Sequence, residues 1–172
     1  MTKRLEVKAS AAPRLPIPDR HRKVGPLSRR FFQVYLGLIS EVLEPFDLDP
    51  AFYSVLVELH DSPGVDQRRL GGALGIDRTT IGEMVDELEH RRLIDRKVDP
   101  KDRRARLLRL THQGDSLRLK IRPYMLAAQE RFEAPLSASE RPVFLDFLYR
   151  VVVGNLDREQ TGGFRRRKRR SK

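Results

Sequence analysis

Residues 64–111 read GVDQRRLGGALGIDRTTIGEMVDELEHRRLIDRKVDPKDRRARLLRLT. Asp66 is placed to cap a short helix running to Leu74, with Leu70, Ala73 and Leu74 facing inward. Gly75 follows where a left-handed residue closes a helix, Ile76 packs the corner, and Asp77 caps the next helix. In that second helix Ile81, Met84, Val85 and Leu88 recur at steps of three and four, the period of a buried helical stripe. Two helices joined by so tight a turn predict a helix-turn-helix. Beyond Arg91, short strand-like segments at 93–98 and 106–110 flank the turn-rich DPKDRRA, so the spacing predicts a wing with an arginine-laden tip.

The chemistry of this unit points to DNA. The amino end of a helix can enter the major groove, where amides and short polar side chains hold phosphate and longer side chains reach base edges. Arg78, Thr79, Thr80 and Glu83 are the polar residues at that end of the second helix. Arg78 suits a guanine or a phosphate, and Glu83 suits cytosine N4 or solvent. Gln67, Arg68 and Arg69 open the preceding helix and are placed to touch the DNA backbone. At the wing, Arg103 or Arg104 suits a narrow, electronegative minor groove. Asp102 cannot favour phosphate, and is assigned to orienting the tip by accepting hydrogen bonds from an arginine or loop amides.

Outward from this unit, Asp49 and Pro50 open a helix with Phe52, Val55, Leu56 and Leu59 as its stripe. Before it, 27–43 is apolar around most of a helical circumference, which calls for cover on several sides and hence a subunit interface. After the wing, Thr111 caps a long helix through Leu117, Ile121 and Phe132, which Pro123 is expected to kink or divide. Ser137 or Ser139 opens a last helix carrying Val143, Phe144, Phe147, Leu148, Val151 and Val152. The expected organisation is a basic, proline-containing arm (1–25), a dimerisation helix (26–48), a winged helix-turn-helix (49–111), C-terminal dimerisation helices (112–157) and a basic disordered tail (158–172). The fold class is mainly α with a small β-wing.

Charge is distributed unevenly. Of the net +11, residues 1–30 carry nine basic groups against Glu6 and Asp19, and 165–172 carry seven against none, while 31–157 is slightly acidic. Within that acidic body, 91–109 holds nine basic residues against three aspartates, so basic charge gathers at the wing. The absence of cysteine excludes disulfides, thiolate zinc sites and thiol redox sensing. His21, His60, His90 and His112 form no spaced metal cluster, and no phosphate loop or nucleophile–base constellation is present. No catalytic residue, metal or cofactor is therefore assigned. The N-terminus lacks an apolar signal core and no apolar run approaches 18 residues, so the expectation is a soluble, cytoplasmic protein without a membrane partner.

The series QRRLGGALGIDRTTIGEMVDELEHRRLIDRKVDPKDRRARLLRLTHQG resembles the winged helix-turn-helix of the MarR family of bacterial transcription regulators, most specifically in its DRR followed by LTxxG. The resemblance runs from about Asp49 to Gly114. It implies a homodimer with interlocked first and last helices that reads a pseudo-palindromic operator on double-stranded DNA. On this match Arg104 is the minor-groove arginine and Asp102 the wing-orienting aspartate. The chain departs from the pattern at Gly82, Glu83 and Glu87, where many members carry serine or arginine, which implies a different operator. The family's effector cleft, between reading head and dimerisation helices, would bring in His21, Arg29, Tyr35, Tyr53 and His60, with an aromatic acid or its acyl thioester as effector. The reading is a sequence-specific, ligand-responsive transcriptional regulator acting as a repressor, and not an enzyme. Its alternative is a non-specific architectural DNA-binding protein.

Overall fold

A computed structural model describes residues 18–98 and 106–156. Helix α1 (Val24–Leu43) is followed by α2 (Pro50–Asp61), a two-residue strand β1 (Val65–Asp66), α3 (Gln67–Leu74) and α4 (Arg78–His90). Strands β2 (Ile94–Val98) and β3 (Arg106–Leu110), then α5 (His112–Glu133) and α6 (Glu140–Val153), complete the order. The antiparallel sheet has the order β1-β3-β2, with Ile94 opposite Leu110 and Val65 opposite Leu108.

Local chemistry fixes most boundaries. The carboxylate of Asp49 accepts from the Ala51 amide, that of Asp66 from Arg69, and the Thr111 hydroxyl oxygen from Gly114. Gly75 closes α3 at φ +65°, a conformation in which a β-carbon is strained. Helix α1 starts at Val24, earlier than Pro26 suggested, because a proline in the first turn forfeits no intrahelical amide bond. Helix α5 is not divided at Pro123. That residue lies on the exposed side, where water can satisfy the carbonyl that its missing amide leaves unpaired. At the last helix the two serine readings combine: Glu140 reaches back to the amide and hydroxyl of Ser137, and the helix proper begins after Ser139.

The core joins the reading head to the long helices. Leu56 and Leu59 of α2, Leu70 of α3, Ile81, Val85 and Leu88 of α4, Leu108 of β3 and Ile121 of α5 are essentially inaccessible. Gly71, not Ala73, takes the inward place on α3. A β-carbon at 71 would stand 2.9 Å from the Ile76 carbonyl oxygen, so the glycine sets how tightly the corner closes. In contrast, α6 buries no residue, and Phe147, Tyr149 and Val151 are each more than half exposed; Phe32 on α1 is likewise 58% exposed. These apolar faces are unpaired in a single chain. Among the described residues no helix is long and apolar enough to cross a membrane.

Candidate nucleic-acid interface and ligand cleft

The turn from α3 into α4 sets out the candidate reading surface. Arg78, Thr79, Thr80 and Glu83 are all exposed on α4. Arg78 and Glu83 form no hydrogen bond or ion pair among the described residues, so both remain available to a partner. Thr80 is more constrained, since its hydroxyl donates to Asp77 Oδ2 at 2.7 Å and retains only acceptor capacity. Asp77 Oδ1 also accepts from the amides of Thr79 and Thr80, at 3.0 and 3.1 Å. The amides expected to hold phosphate at this end of α4 are thus engaged by the helix's own cap.

The bond from the Thr80 hydroxyl, and then that from the Thr80 amide, hold the Asp77 carboxyl below its ordinary value. A depressed folded-state value means that the ionised cap contributes stability fully above the unfolded value of about 4, and that this is lost as pH falls through the folded value. The difference in melting temperature between the wild type and Asp77→Ala is therefore expected to be largest near neutrality and to shrink below about pH 4. A gap that is constant with pH would deny the charged cap.

Beside α4, the start of α3 completes a concavity of about 330 Å³ lined by Asp66, Gln67, Arg68, Arg78 and Arg106. Three cations from three elements therefore face one hollow beside the Asp66 carboxylate, a positive surface suited to DNA. Arg106 escaped the sequence reading because its membership depends on β3 pairing with β1 beneath α3. The acidic side of α4 is occupied internally: Arg96 of β2 pairs with Asp86 and Glu89, bracing the wing strand against α4. Glu87, whose departure from the family pattern suggested a changed contact, instead binds Arg91 Nε at 2.6 Å. Arg91 in turn donates to the Asp47 carbonyl at 2.7 Å. The wing-tip residues Asp102, Arg103 and Arg104 lie outside the described residues.

A second feature lies between α1, α2, α5 and the reading head. A cleft of about 510 Å³ is lined by Tyr35 and Ile39 of α1, Tyr53 and Ser54 of α2, Leu74 and Ile76 of the corner, and others. An adjoining hollow of about 220 Å³ shares Tyr35 and Tyr53 and adds Arg122 and Gln129 of α5. Burial raises both tyrosine hydroxyls above their ordinary value, for Tyr53 against the opposing pull of Arg118 and Arg122, so both stay protonated as donors. Of the candidate effector residues, the structure unites Tyr35 and Tyr53 only. His21 and Arg29 line a separate hollow at the start of α1 with Arg30. His60 borders none of these; its Nδ1 lies 3.3 Å from Asp115, which also holds the buried Arg118 at 2.7 Å. Arg122 was missed because nothing in an exposed arginine on a long helix signals that α2 will bring a tyrosine opposite it.

Comparison with known proteins bears on this arrangement. The MarR family model matches residues 48–105. The chain is 30% identical over 124 residues to the transcriptional regulator HosA of Escherichia coli O111:H-, covering 72% of this chain and 90% of HosA. Among solved structures, the PcaV transcriptional regulator of Streptomyces coelicolor, in complex with its natural ligand, is 35% identical with a TM-score of 0.69. That match covers 80% of this chain and 97% of PcaV. The transcriptional repressor CouR, bound to a 23-mer DNA duplex, is 27% identical with a TM-score of 0.75 over 81% of this chain and 99% of CouR. These relatives are transcription regulators, not enzymes. With a winged helix-turn-helix between long flanking helices and a regulator aligned over nine-tenths of its length, this chain belongs to the MarR family of transcription regulators.

Proposed function

We propose that the protein is a cytoplasmic, homodimeric repressor that reads a pseudo-palindromic operator and is released from it by a small aromatic acid or its acyl thioester. The observation that carries this reading is the exposed, unpaired Arg78 standing with Arg68 and Arg106 around one hollow, at the end of a helix whose apolar side is anchored in the core. The exposed apolar faces of α1 and α6 support the dimer. Two such heads related by a two-fold axis would address half-sites about 34 Å apart. CouR on its duplex and PcaV with its ligand support the two binding activities.

The Tyr35–Tyr53 cleft is the proposed effector site. Its walls are largely apolar, its tyrosine hydroxyls are donors, and Arg122 offers a charge to a carboxylate. Leu74 and Ile76 flank Gly75, so an occupant touches the corner that aims α4. A hundredfold release of DNA requires about 2.7 kcal/mol of preference for the non-operator conformation.

At the wing, Arg104, with Arg103 as the alternative, enters the minor groove and Asp102 fixes the tip. The test is a footprint on DNA upstream of the protein's own gene, repeated with hydroxylated benzoic and cinnamic acids and their acyl thioesters. Protection of a pseudo-palindrome that is lost with a member of the panel is expected. On the protected site, Arg104→Ala should bind about fivefold more weakly, the effect of about 1 kcal/mol. Unchanged affinity at matched salt would remove the wing from the account.

A further inference from the structure

Gly82 sits one turn beyond Arg78 on the same side of α4, and its missing side chain is not vacant space. A β-carbon built there would stand 3.0 Å from Nε2 of Gln67, so the terminal amide of the α3 residue lies in the notch that the glycine leaves. Gln67 is partly buried, and it forms no hydrogen bond among the described residues. Its carboxamide is therefore held against the outer flank of the reading helix with its donor and acceptor capacity unspent.

The first turn of α4 has less to offer than its sequence promised. Thr80 gives its proton to Asp77, and the amides of Thr79 and Thr80 are occupied by the same carboxylate. Among the side chains that remain unspent, Arg78 and, one turn beyond it over Gly82, Gln67 follow one another along this side of the surface. A guanidinium and a carboxamide in succession match the two best bidentate partners of the major groove, guanine and adenine respectively.

We propose that Gln67, seated over Gly82, reads a base edge in the major groove, with adenine as the matching base, and that Gly82 is the specificity determinant that admits it. The inference rests on the DNA-reading function proposed above. It changes the role of Gln67 from a backbone contact to a base contact, and it gives the glycine a purpose that helix formation does not supply, since glycine is unfavourable within a helix.

The glycine allows a test in which the fold is not sacrificed. The contact made by a new β-carbon is the far end of a flexible side chain, so Gly82→Ala shifts the Gln67 carboxamide by a few tenths of an ångström, enough to misalign a two-bond contact, without meeting backbone, and the melting temperature should hold or rise. The full-length wild type, Gln67→Ala, Gly82→Ala and the double variant would each select from a randomised duplex library. Each would then be titrated, at one salt concentration, against the selected site and its single-base-pair variants.

The wild type should discriminate at one A·T pair in each half-site by about tenfold, within the range of a bidentate contact. Both single variants should reduce that preference to about twofold while preferences elsewhere persist, and the double variant should go no further, because both changes remove the same contact. A Gln67→Ala protein that weakens all sequences equally, or a Gly82→Ala protein that keeps the full preference, would overturn the proposal while leaving sequence-specific binding intact. A wild type that selects no sequence would overturn both.

Discussion

Gly114→Ala is expected to destabilise the fold by about 3 kcal/mol, at the upper end of ordinary overpacking effects. Gly114 is buried in the first turn of α5, and a β-carbon there would stand 2.0 Å from the Leu93 carbonyl oxygen and 2.9 Å from its carbon. Neither atom can yield cheaply. The Leu93 carbonyl accepts from the Thr111 amide at 3.1 Å, the Thr111 hydroxyl donates to the neighbouring Arg92 carbonyl at 2.7 Å, and the same hydroxyl oxygen accepts from the Gly114 amide at 3.0 Å. One knot of hydrogen bonds therefore fastens the start of α5 to the residue that leads into the wing, and the methyl group must push them apart. At roughly 3 °C per kcal/mol for a chain of this size, the melting temperature should fall by about 10 °C at fixed protein concentration. A shift under about 2 °C would mean that the approach relaxes freely.

The largest loss of function is expected at Arg78. Because Arg78 forms no contact among the described residues that the fold depends on, Arg78→Ala should leave the melting temperature unchanged. Losing a bidentate base contact of about 2 kcal/mol should weaken operator binding by about 30-fold, and binding to random DNA by only a few-fold. Arg78→Lys keeps the charge but not the planar fork, so it should restore random-DNA affinity and not operator preference. If instead both DNAs lose affinity equally and the salt slope falls by about one, Arg78 is a phosphate contact and the preference must lie with Thr79 and Gln67.

What the sequence made legible was chemistry reaching two or three residues. Asp49, Asp66, Asp77, Thr111 and Gly75 each act on their own helix ends, and each performs as its position suggests. The wing strands were legible too, since two short segments bordering the turn-rich DPKDRRA are contiguous in the chain. What escaped notice depends on partners far along the chain. Strand β1 has only two residues and exists because β3 passes beside it. Gly71 replaces Ala73 inside because the corner folds back onto α3. Arg96 looked like one more wing cation, yet Asp86 and Glu89 hold it. The cap of α4 was read correctly, but not its consequence, that the same bonds withdraw two amides and a hydroxyl proton from any partner. The cleft was half legible: Tyr35 and Tyr53 meet in it, whereas His21, Arg29 and His60 have no individual signal that separates them from it.

The acidic body and the basic termini pull the functional reading in different directions. Terminal charge favours DNA of any sequence, and the geometry of Arg78, Gln67 and Thr79 favours one. The most direct test is competition between a selected operator and random duplex of equal length for the full-length protein at near-physiological salt. A sequence-specific regulator should prefer the operator by about 10³-fold or more, bound as two copies per site. A preference below about tenfold would contradict the account and assign the protein to sequence-independent packaging of DNA.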